Sequence, residues 1–203
     1  HQRPMQNKFE PIVNTIETTG YIVLSDFLPL ETLNAIFLQY QGISPSEFKS
    51  AGIGKKENLQ INHEIRSDRI YWIEENNELP KEYLEHLEAL RLALNQKLYL
   101  GLFDFECHFA NYPQGTFYKK HLDAFKGVGL RVLSSILYLN PDWKPGDGGE
   151  LILYTPKGNT ILETITPTFG KQVFFLSNMF PHEVLESKKP RQSLTGWFRI
   201  NQK

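Results

Sequence analysis

The second half of the chain is a series of short β-rich runs separated by turn-forming residues. The runs are rich in β-branched and aromatic residues, and clusters of Gly, Asn, Asp and Pro stand between them. Closely spaced strands that follow a helical first half predict a sandwich or barrel with helices packed on one sheet. The predicted strands are 103–109, 117–120, 132–139, 151–154, 161–165, 173–176, 182–185 and 194–200.

The first half of the chain mixes predicted helices with short predicted strands. Apolar residues recur every three or four positions in its helical segments, most clearly at 81–99. Residues 41–58 are rich in Gly, Ser and Lys and lack periodicity, so a loop is expected there. The predicted helices are 8–18, 30–40 and 81–99, and the predicted strands are 21–24 and 70–73.

The chain is expected to form one domain over residues 1–203. No internal repeat, low-complexity tract or sharp boundary divides it, and its length is enough to bury a real core. In this prediction a helix-rich part of about 6–100 packs on a β core of about 101–200.

Composition narrows the classes of function. The chain has 22 Lys and Arg against 23 Asp and Glu, a balance that argues against a general nucleic-acid binder. Cys107 is the only cysteine, which excludes an intrachain disulfide and a Cys-based zinc site and favours a reducing, cytoplasmic setting. No apolar run approaches the roughly 20 residues that span a membrane, and the first residues lack an apolar signal core. A monomer away from membranes is expected.

The motif His121-Leu122-Asp123 is the first candidate for chemistry. Residues two apart in a strand point to the same face, so His121 and Asp123 can converge on one ion. His182, in a separate β-rich run, can supply a third ligand. Two histidines and one carboxylate leave positions open for a cosubstrate and dioxygen, which is typical of non-haem Fe(II) oxygenases. The alternative is a hydrogen-bonded His-Asp pair at a strand end.

Arg191 is the candidate anion-binding residue. It follows the turn-like stretch Ser187-Lys188-Lys189-Pro190, at the start of the next predicted strand. If that strand pairs antiparallel with the strand of His182, Arg191 points into the same barrel, where a guanidinium needs an anionic partner. The far carboxylate of a dicarboxylic cosubstrate would supply one, and the Tyr138 hydroxyl could contact the same carboxylate. The alternatives are a surface arginine and a core tyrosine.

From about Gly20 to the C-terminus, the sequence resembles the prolyl hydroxylases of the hypoxia-inducible-factor type and their bacterial relatives, within the Fe(II)/2-oxoglutarate oxygenases. This resemblance implies a double-stranded β-helix core, of the jelly-roll or cupin-like kind, with flanking helices. The stretches that carry it are IRSDRIYWIE at 65–74, YPQGTFYKKHLD at 112–123, ILYLNPDW at 136–143, GGEL at 148–151, PHEV at 181–184, and Arg191 followed by Trp197.

The resemblance also implies roles for individual residues. The iron ligands of the family match His121, Asp123 and His182, and its arginine for the 2-oxoglutarate C5 carboxylate matches Arg191. Tyr138 matches a tyrosine that assists this arginine. The remaining matches are Tyr112 and Thr195 in the cosubstrate pocket, and Trp197 near the substrate entrance, where plain core packing is the alternative.

The implied activity is hydroxylation of prolyl residues in a protein or peptide, with release of succinate and CO2. Fe(II), 2-oxoglutarate and O2 are the implied cofactor and cosubstrates, and ascorbate is a candidate addition. Residues 42–62 fall where the family has a mobile loop that closes over the substrate. Two alternatives keep the same site: a hydroxylase of another residue or small molecule, and a sensor that binds metal or 2-oxoglutarate without turnover.

Overall fold

The computed structural model describes residues 8–52, 65–75, 78–124 and 130–201. Within these ranges, three α-helices and a 3₁₀ turn lie in the first half of the chain, and most strands lie in the second. The helices are α1 (Glu10–Thr19), α2 (Leu30–Gln41) and α3 (Lys81–Leu98), and the 3₁₀ turn is Pro45–Glu47. The strands are β1 (Tyr21–Leu24), β2 (Lys49–Ser50), β3 (Arg69–Ile73), β4 (Leu102–Tyr112), β5 (Tyr118–His121), β6 (Arg131–Tyr138), β7 (Leu151–Tyr154), β8 (Ile161–Ile165), β9 (Gln172–Leu176), β10 (His182–Val184) and β11 (Arg191–Ile200).

The strands form two antiparallel sheets. The seven-stranded sheet has the order β1-β9-β6-β11-β4-β3-β2, and the four-stranded sheet has the order β5-β10-β7-β8. From β4 to β11 the chain moves repeatedly between the sheets, which is the topology of a double-stranded β-helix. The predicted mainly β fold with flanking helices is therefore confirmed.

The large sheet separates two hydrophobic clusters because successive side chains of a strand point to opposite faces. In β9, Phe174 joins the cluster with the helices, while Val173 and Phe175 join the cluster with the small sheet. In β6, Leu137 faces the helices and Ile136 faces the small sheet. The helices thus cover one face of the large sheet and leave its other face for the space between the sheets.

The first hundred residues contribute to the sheet as well as to the helical layer. Strand β1 extends the large sheet beside β9, and β3 with β2 extends it beside β4. Residues before and after position 100 therefore both contribute strands to the large sheet. Among the helices that the structure describes, none is long and apolar enough to cross a membrane.

The condition under which Arg191 was expected to point into the barrel, pairing of its strand with the His182 strand, is not met. Strand β10 pairs with β5 and β7, whereas β11 pairs with β4 and β6. The connection between them crosses from the small sheet to the large one. Ser187, within it, is fixed by backbone hydrogen bonds from Gly115 N to Ser187 O and from Ser187 N to Thr116 O. Arg191 thus starts a strand on the sheet opposite His182.

Gly196 lies in β11, which runs through the middle of the large sheet. A Cβ atom there would overlap the Phe105 ring and lie 2.6 Å from the carbonyl oxygen of Glu106. The neighbouring backbone has no room to move, because β4 and β6 hold β11 on both sides.

We expect Gly196→Ala to destabilise the protein by about 1–3 kcal/mol, the usual effect of overpacking a tight interior. Thermal unfolding followed by circular dichroism measures this change. Gly42→Ala is the matched control, since its Cβ would meet only ordinary contacts, the nearest being Gln39 O at 3.5 Å. Equal melting temperatures for the two variants would contradict the prediction.

Candidate active site

His121, Asp123 and His182 meet between the two sheets. His121 ends β5 and is paired directly with His182 at the start of β10. One ligand atom from each of the three residues lies within 4.8 Å of the others. The Asp123 Oδ1 atom is 3.0 Å from His182 Nε2 and 3.5 Å from His121 Nε2. The structure therefore brings together the three residues that the sequence predicted as metal ligands.

Backbone carbonyl groups fix which nitrogen of each imidazole faces the site. His121 Nδ1 lies 2.7 Å from Lys119 O, and His182 Nδ1 lies 2.9 Å from Phe180 O. A carbonyl oxygen only accepts hydrogen bonds, so Nδ1 carries the hydrogen in both rings. Each Nε2 therefore faces the centre of the cluster, where a metal ion would take the place of any proton on that nitrogen.

The protonation states of the cluster also suit a cation. Burial and the nearby His182 lower the pKa of His121 to about 4, so its imidazole is neutral at neutral pH. Burial alone would raise the pKa of Asp123, but the adjacent imidazoles of His182 and His121 hold it well below the usual range. For His182, burial lowers the pKa, but the Asp123 charge and the hydrogen bonds with Asp123 and Phe180 together outweigh burial and raise the pKa. The site thus carries a buried carboxylate that a divalent metal ion would neutralise.

The second oxygen of Asp123 has its own partners. The Ser134 hydroxyl donates to Oδ2 at 2.6 Å, and the Trp197 indole N–H donates to it at 3.0 Å. Oδ1 faces the histidines, so the two oxygens of one carboxylate have different roles. Trp197, predicted to line the pocket near its entrance, lines the pocket and also holds this oxygen.

The Tyr118 ring stacks on the imidazole of His121. The rings of Tyr118 and His121 are stacked, with centroids 3.5 Å apart and an angle of 8° between their planes. The Arg66 guanidinium lies 4.1 Å from the centre of the Tyr118 ring and pairs with the buried Asp68 carboxylate at 2.7 Å. These contacts limit rotation of the His121 ring.

Beside the cluster is a pocket of about 380 Å³ between the sheets. Arginine and tyrosine side chains line part of it, and apolar and aromatic residues line much of the rest. The residues around it include Arg66, Asp68, Ile70, Trp72, His108, Ala110, Tyr112, Tyr118, His121, Asp123, Arg131, Ile136, Leu151, His182, Val184, Arg191, Ser193, Thr195 and Trp197.

Arg191 lines this pocket and is only 2% exposed. Its Nε atom donates to Gly149 O at 2.7 Å, and its Nη2 atom is 3.4 Å from the Tyr138 hydroxyl. The guanidinium also lies near the ring faces of Tyr112 and Tyr138, at 4.8 and 5.0 Å from their centroids. Within the described ranges, no carboxylate forms an ion pair with it. A buried cation without an anion is costly, so Arg191 is suited to bind an anion that enters the pocket.

The remaining predicted residues divide into two groups. Tyr112 and Thr195 line the pocket, on the neighbouring strands β4 and β11. Tyr138 is fully buried and contacts Arg191, but it is not among the lining residues. Gly149 is also needed here, because a Cβ on it would lie 2.9 Å from Arg191 Cδ.

The donor set fits ferrous iron and a dicarboxylate. Two imidazole nitrogens and one carboxylate oxygen on one side of an ion are the ligands of non-haem Fe(II) oxygenases. The buried guanidinium of Arg191 in the same pocket forms no ion pair with a carboxylate of the described residues, and it matches a distal carboxylate through a bidentate pair.

Comparisons with known proteins agree with this site. Residues 107–199 match the 2OG-Fe(II) oxygenase superfamily. The chain is 31% identical to human prolyl hydroxylase EGLN3, covering 93% of this chain and 82% of that protein. It is 29% identical to human Egl nine homolog 1, but it spans only 46% of that protein's length. The chain therefore belongs to the 2OG-Fe(II) oxygenase superfamily, among relatives of the EGLN prolyl hydroxylases.

Solved structures give the same assignment. A Pseudomonas putida prolyl-4-hydroxylase is 38% identical, with a TM-score of 0.83 and coverage of 98% of this chain and 100% of that one. A prolyl hydroxylase from Trichoplax adhaerens, solved with a peptide fragment of the hypoxia-inducible factor oxygen degradation domain, is 28% identical with a TM-score of 0.80. That comparison covers 96% of this chain and 90% of the other.

Sequence reasoning missed His108, which lines the pocket in β4 and is 3% exposed. Its ring packs against Trp72 and Trp197, with centroids 4.8 and 5.4 Å away. Burial, followed by the positive charges of Arg66 and Arg131, lowers the pKa of His108 to about 3. The alternation of His108, Ala110 and Tyr112 along β4 is the sequence signal that could have placed it beside the predicted Tyr112.

The low pKa of His108 predicts a measurable effect on stability. In the unfolded chain the imidazole gains a proton as the pH falls below 6.5, whereas in the folded protein it stays neutral down to about pH 3. Acid therefore favours the unfolded state across this window, by about 1.4 kcal/mol per pH unit. We expect His108→Phe to remove this contribution, which amounts to about 2 kcal/mol between pH 6.5 and pH 5.

Urea unfolding of the metal-free wild type and variant at several pH values measures the difference. The other titrating groups are common to both proteins, so only the difference between the two pH profiles is informative. His108→Gln, which also cannot titrate, should have the same shallower profile. Parallel profiles for all three proteins would contradict the assignment of a neutral His108.

Proposed function

We propose that this protein is an Fe(II)- and 2-oxoglutarate-dependent dioxygenase that hydroxylates prolyl residues in a protein or peptide and releases succinate and CO2. The observation that carries the proposal is one pocket that holds both the His121, Asp123 and His182 cluster and the buried Arg191, which has no carboxylate partner in the part of the chain that the structure describes. A metal cluster alone fits many enzymes, and a buried arginine alone fits a structural role. Together they supply a metal site and an anchor for a dicarboxylic cosubstrate.

The side chains have separate tasks in this reaction. The Nε2 atoms of His121 and His182 and the Oδ1 atom of Asp123 would hold the iron. When bound, ferrous iron with 2-oxoglutarate supplies the oxidising chemistry that inserts one oxygen atom of O2 into a C–H bond. Arg191 would pair with the distal carboxylate of 2-oxoglutarate, with the Tyr138 hydroxyl beside it.

Exclusion of water is the task of the apolar lining. Ile136 and Leu151 lie on opposite sheets and both line the pocket, together with Val184 and Trp72. A dry pocket strengthens the attraction between Arg191 and a carboxylate, and it limits side reactions of an oxidising site.

The choice of a prolyl substrate is supported by the relatives. The Pseudomonas putida and Trichoplax adhaerens proteins are prolyl hydroxylases, and the latter was solved with a peptide fragment. Human EGLN3 is likewise a prolyl hydroxylase. The predicted loop of residues 42–62 that closes over substrate lies in part outside the described residues, from 53 onward. The cytoplasmic location, monomeric state and use of ascorbate stay predictions.

The proposal is tested with a library of proline-containing peptides. The purified protein receives Fe(II), 2-oxoglutarate and peptide without oxygen, oxygen is then admitted, and succinate and peptide mass are followed together. We expect succinate and a gain of one oxygen atom on proline. Succinate with an unmodified peptide would move the substrate to another residue or small molecule. No succinate with metal bound would favour a sensor, and Asp123→Ala is the inactive control.

The anchoring role of Arg191 predicts a selective loss of cosubstrate affinity. Replacing it by alanine leaves the distal carboxylate without its charge-assisted partner, a loss of about 2–5 kcal/mol. We therefore expect Arg191→Ala to raise the KM for 2-oxoglutarate at least about 30-fold, with metal affinity little changed.

Arg199→Ala is the matched control for this prediction. Arg199 lies on the same strand and pairs with the Asp104 carboxylate at 2.7 Å, but it is not among the residues that line the pocket. Its substitution should leave the KM for 2-oxoglutarate unchanged. Titration calorimetry of 2-oxoglutarate with the Mn(II)-loaded variants checks the same difference without turnover, and equal affinities would point to another anchor.

A further inference from the structure

We propose that Ser134 and Ser177 are positioning residues that orient the Asp123 carboxylate, so that only Oδ1 faces the metal. Ser134 lies on β6 and Ser177 follows the end of β9, and both of these strands belong to the sheet opposite the two histidines. Both side chains are fully buried. The inference rests on the metal site of the proposed function and concerns what holds that site in shape.

The three groups form a continuous chain of hydrogen bonds. The Ser177 and Ser134 hydroxyl oxygens are 2.8 Å apart, and the Ser134 hydroxyl is 2.6 Å from Asp123 Oδ2. The backbone fixes Ser177 in this place, because Ser177 N donates to Val132 O at 2.9 Å and Ala124 N donates to Ser177 O at 3.2 Å. The second of these bonds joins Ser177 directly to the residue after Asp123.

The direction of the chain follows from counting hydrogens. A hydroxyl has a single hydrogen, and an ionised carboxylate can only accept. Because Ser134 gives its hydrogen to Asp123, the Ser134 oxygen must act as the acceptor from Ser177. The order is therefore Ser177 to Ser134 to Asp123. Each donor is oriented by the group behind it, and hydrogen bonds to a charged acceptor are the stronger kind.

The consequence concerns the coordination of the metal. Two donors, Ser134 and the Trp197 indole, occupy Oδ2, which is therefore turned away from the metal position. Oδ1 remains beside the Nε2 atoms of His121 and His182. Without the Ser134 hydroxyl, the carboxylate could rotate about its Cβ–Cγ bond. Loss of such an outer partner typically weakens metal binding by about 10–100-fold.

Ser135 provides the control that distinguishes orientation of Asp123 from the general effect of removing a buried hydroxyl. It is the next residue on β6, is equally buried, and also takes part in a hydrogen bond, from Gln172 Nε2 to its hydroxyl oxygen at 2.8 Å. Since successive residues of a strand face opposite sides, Ser135 points away from the metal cluster. Ser135→Ala therefore removes a buried hydrogen bond of similar length from the same strand without touching Asp123.

The test is the affinity of the full chain for Mn(II), measured without turnover by electron paramagnetic resonance of the free ion. We expect Ser134→Ala to raise the dissociation constant about 10–100-fold and to change the spectrum of the bound ion. Ser134→Thr, which keeps the hydroxyl, should restore most of the affinity. Ser177→Ala should weaken binding less, because Ser134 can still donate, and Ser135→Ala should leave binding unchanged.

The outcomes distinguish this inference from the proposed function. If the wild type binds no Mn(II), or if Asp123→Ala binds it equally well, the metal site itself is wrong. If the wild type binds and Ser134→Ala binds with the same constant and spectrum, only the role of the serines is overturned. Equal losses in Ser134→Ala and Ser135→Ala would overturn it too. Should Ser134→Ala fail to fold, judged by circular dichroism, an unchanged constant for Ser177→Ala would overturn the proposed chain.

Discussion

Arg191 is buried between two largely apolar sheets without a carboxylate partner among the described residues, and the site depends on how that charge is accommodated. The Gly149 carbonyl, the Tyr138 hydroxyl and two aromatic ring faces contact the guanidinium, but none of them carries a negative charge. These contacts hold the side chain in place and compensate only part of its desolvation. A dicarboxylate that binds in the pocket compensates the remaining part of the desolvation cost. The burial of Arg191 therefore favours binding of the cosubstrate.

The strands of the large sheet make this arrangement possible. β11 is paired on both sides over most of its length, with β4 and with β6. Its alternate residues Ser193, Thr195 and Trp197 line the pocket, while Leu194 and Phe198 join the core beneath the helices. A shift of one residue in its register would move all of these side chains to the wrong faces. The hydrophobic packing beneath the helices therefore fixes the positions of the polar side chains in the pocket.

The sequence predicted the metal ligands and Arg191 better than it predicted the residues that contact them. The spacing of His121 and Asp123 predicted that they converge, although β5 ends at His121 and Asp123 lies in a bend beyond it. His182 and Arg191 were candidates from their own segments, and the resemblance to a known family supported both. The geometric argument for Arg191 assumed pairing with the neighbouring strand in the chain, and it failed because β10 and β11 lie in different sheets.

The contacts of Ser134, Ser177 and His108 could not be predicted in the same way. Ser134 and Asp123 are 11 residues apart, and Ser134 and Ser177 are 43 apart. Their approach depends on how far the two sheets are separated and how their registers match, which no periodicity within a single strand encodes. The position of a polar residue in a β-rich run predicts which face of the sheet its side chain lies on. It does not predict which other side chain it contacts there. Ser134 and Ser135 show this limit, since both are equally buried and they face opposite sides.

The metal cluster joins the two sheets through Asp123. Both histidines belong to the small sheet, whereas the groups that hold Asp123 Oδ2 belong to the large sheet. The distance between Oδ1 and the histidine nitrogens therefore depends on the separation of the sheets, which the apolar residues between them set. Arg191 starts a strand of the large sheet, but its Nε donates to the carbonyl oxygen of Gly149, two residues before β7 of the small sheet. Substitutions that alter packing between the sheets should consequently affect both metal affinity and the anchor for the cosubstrate.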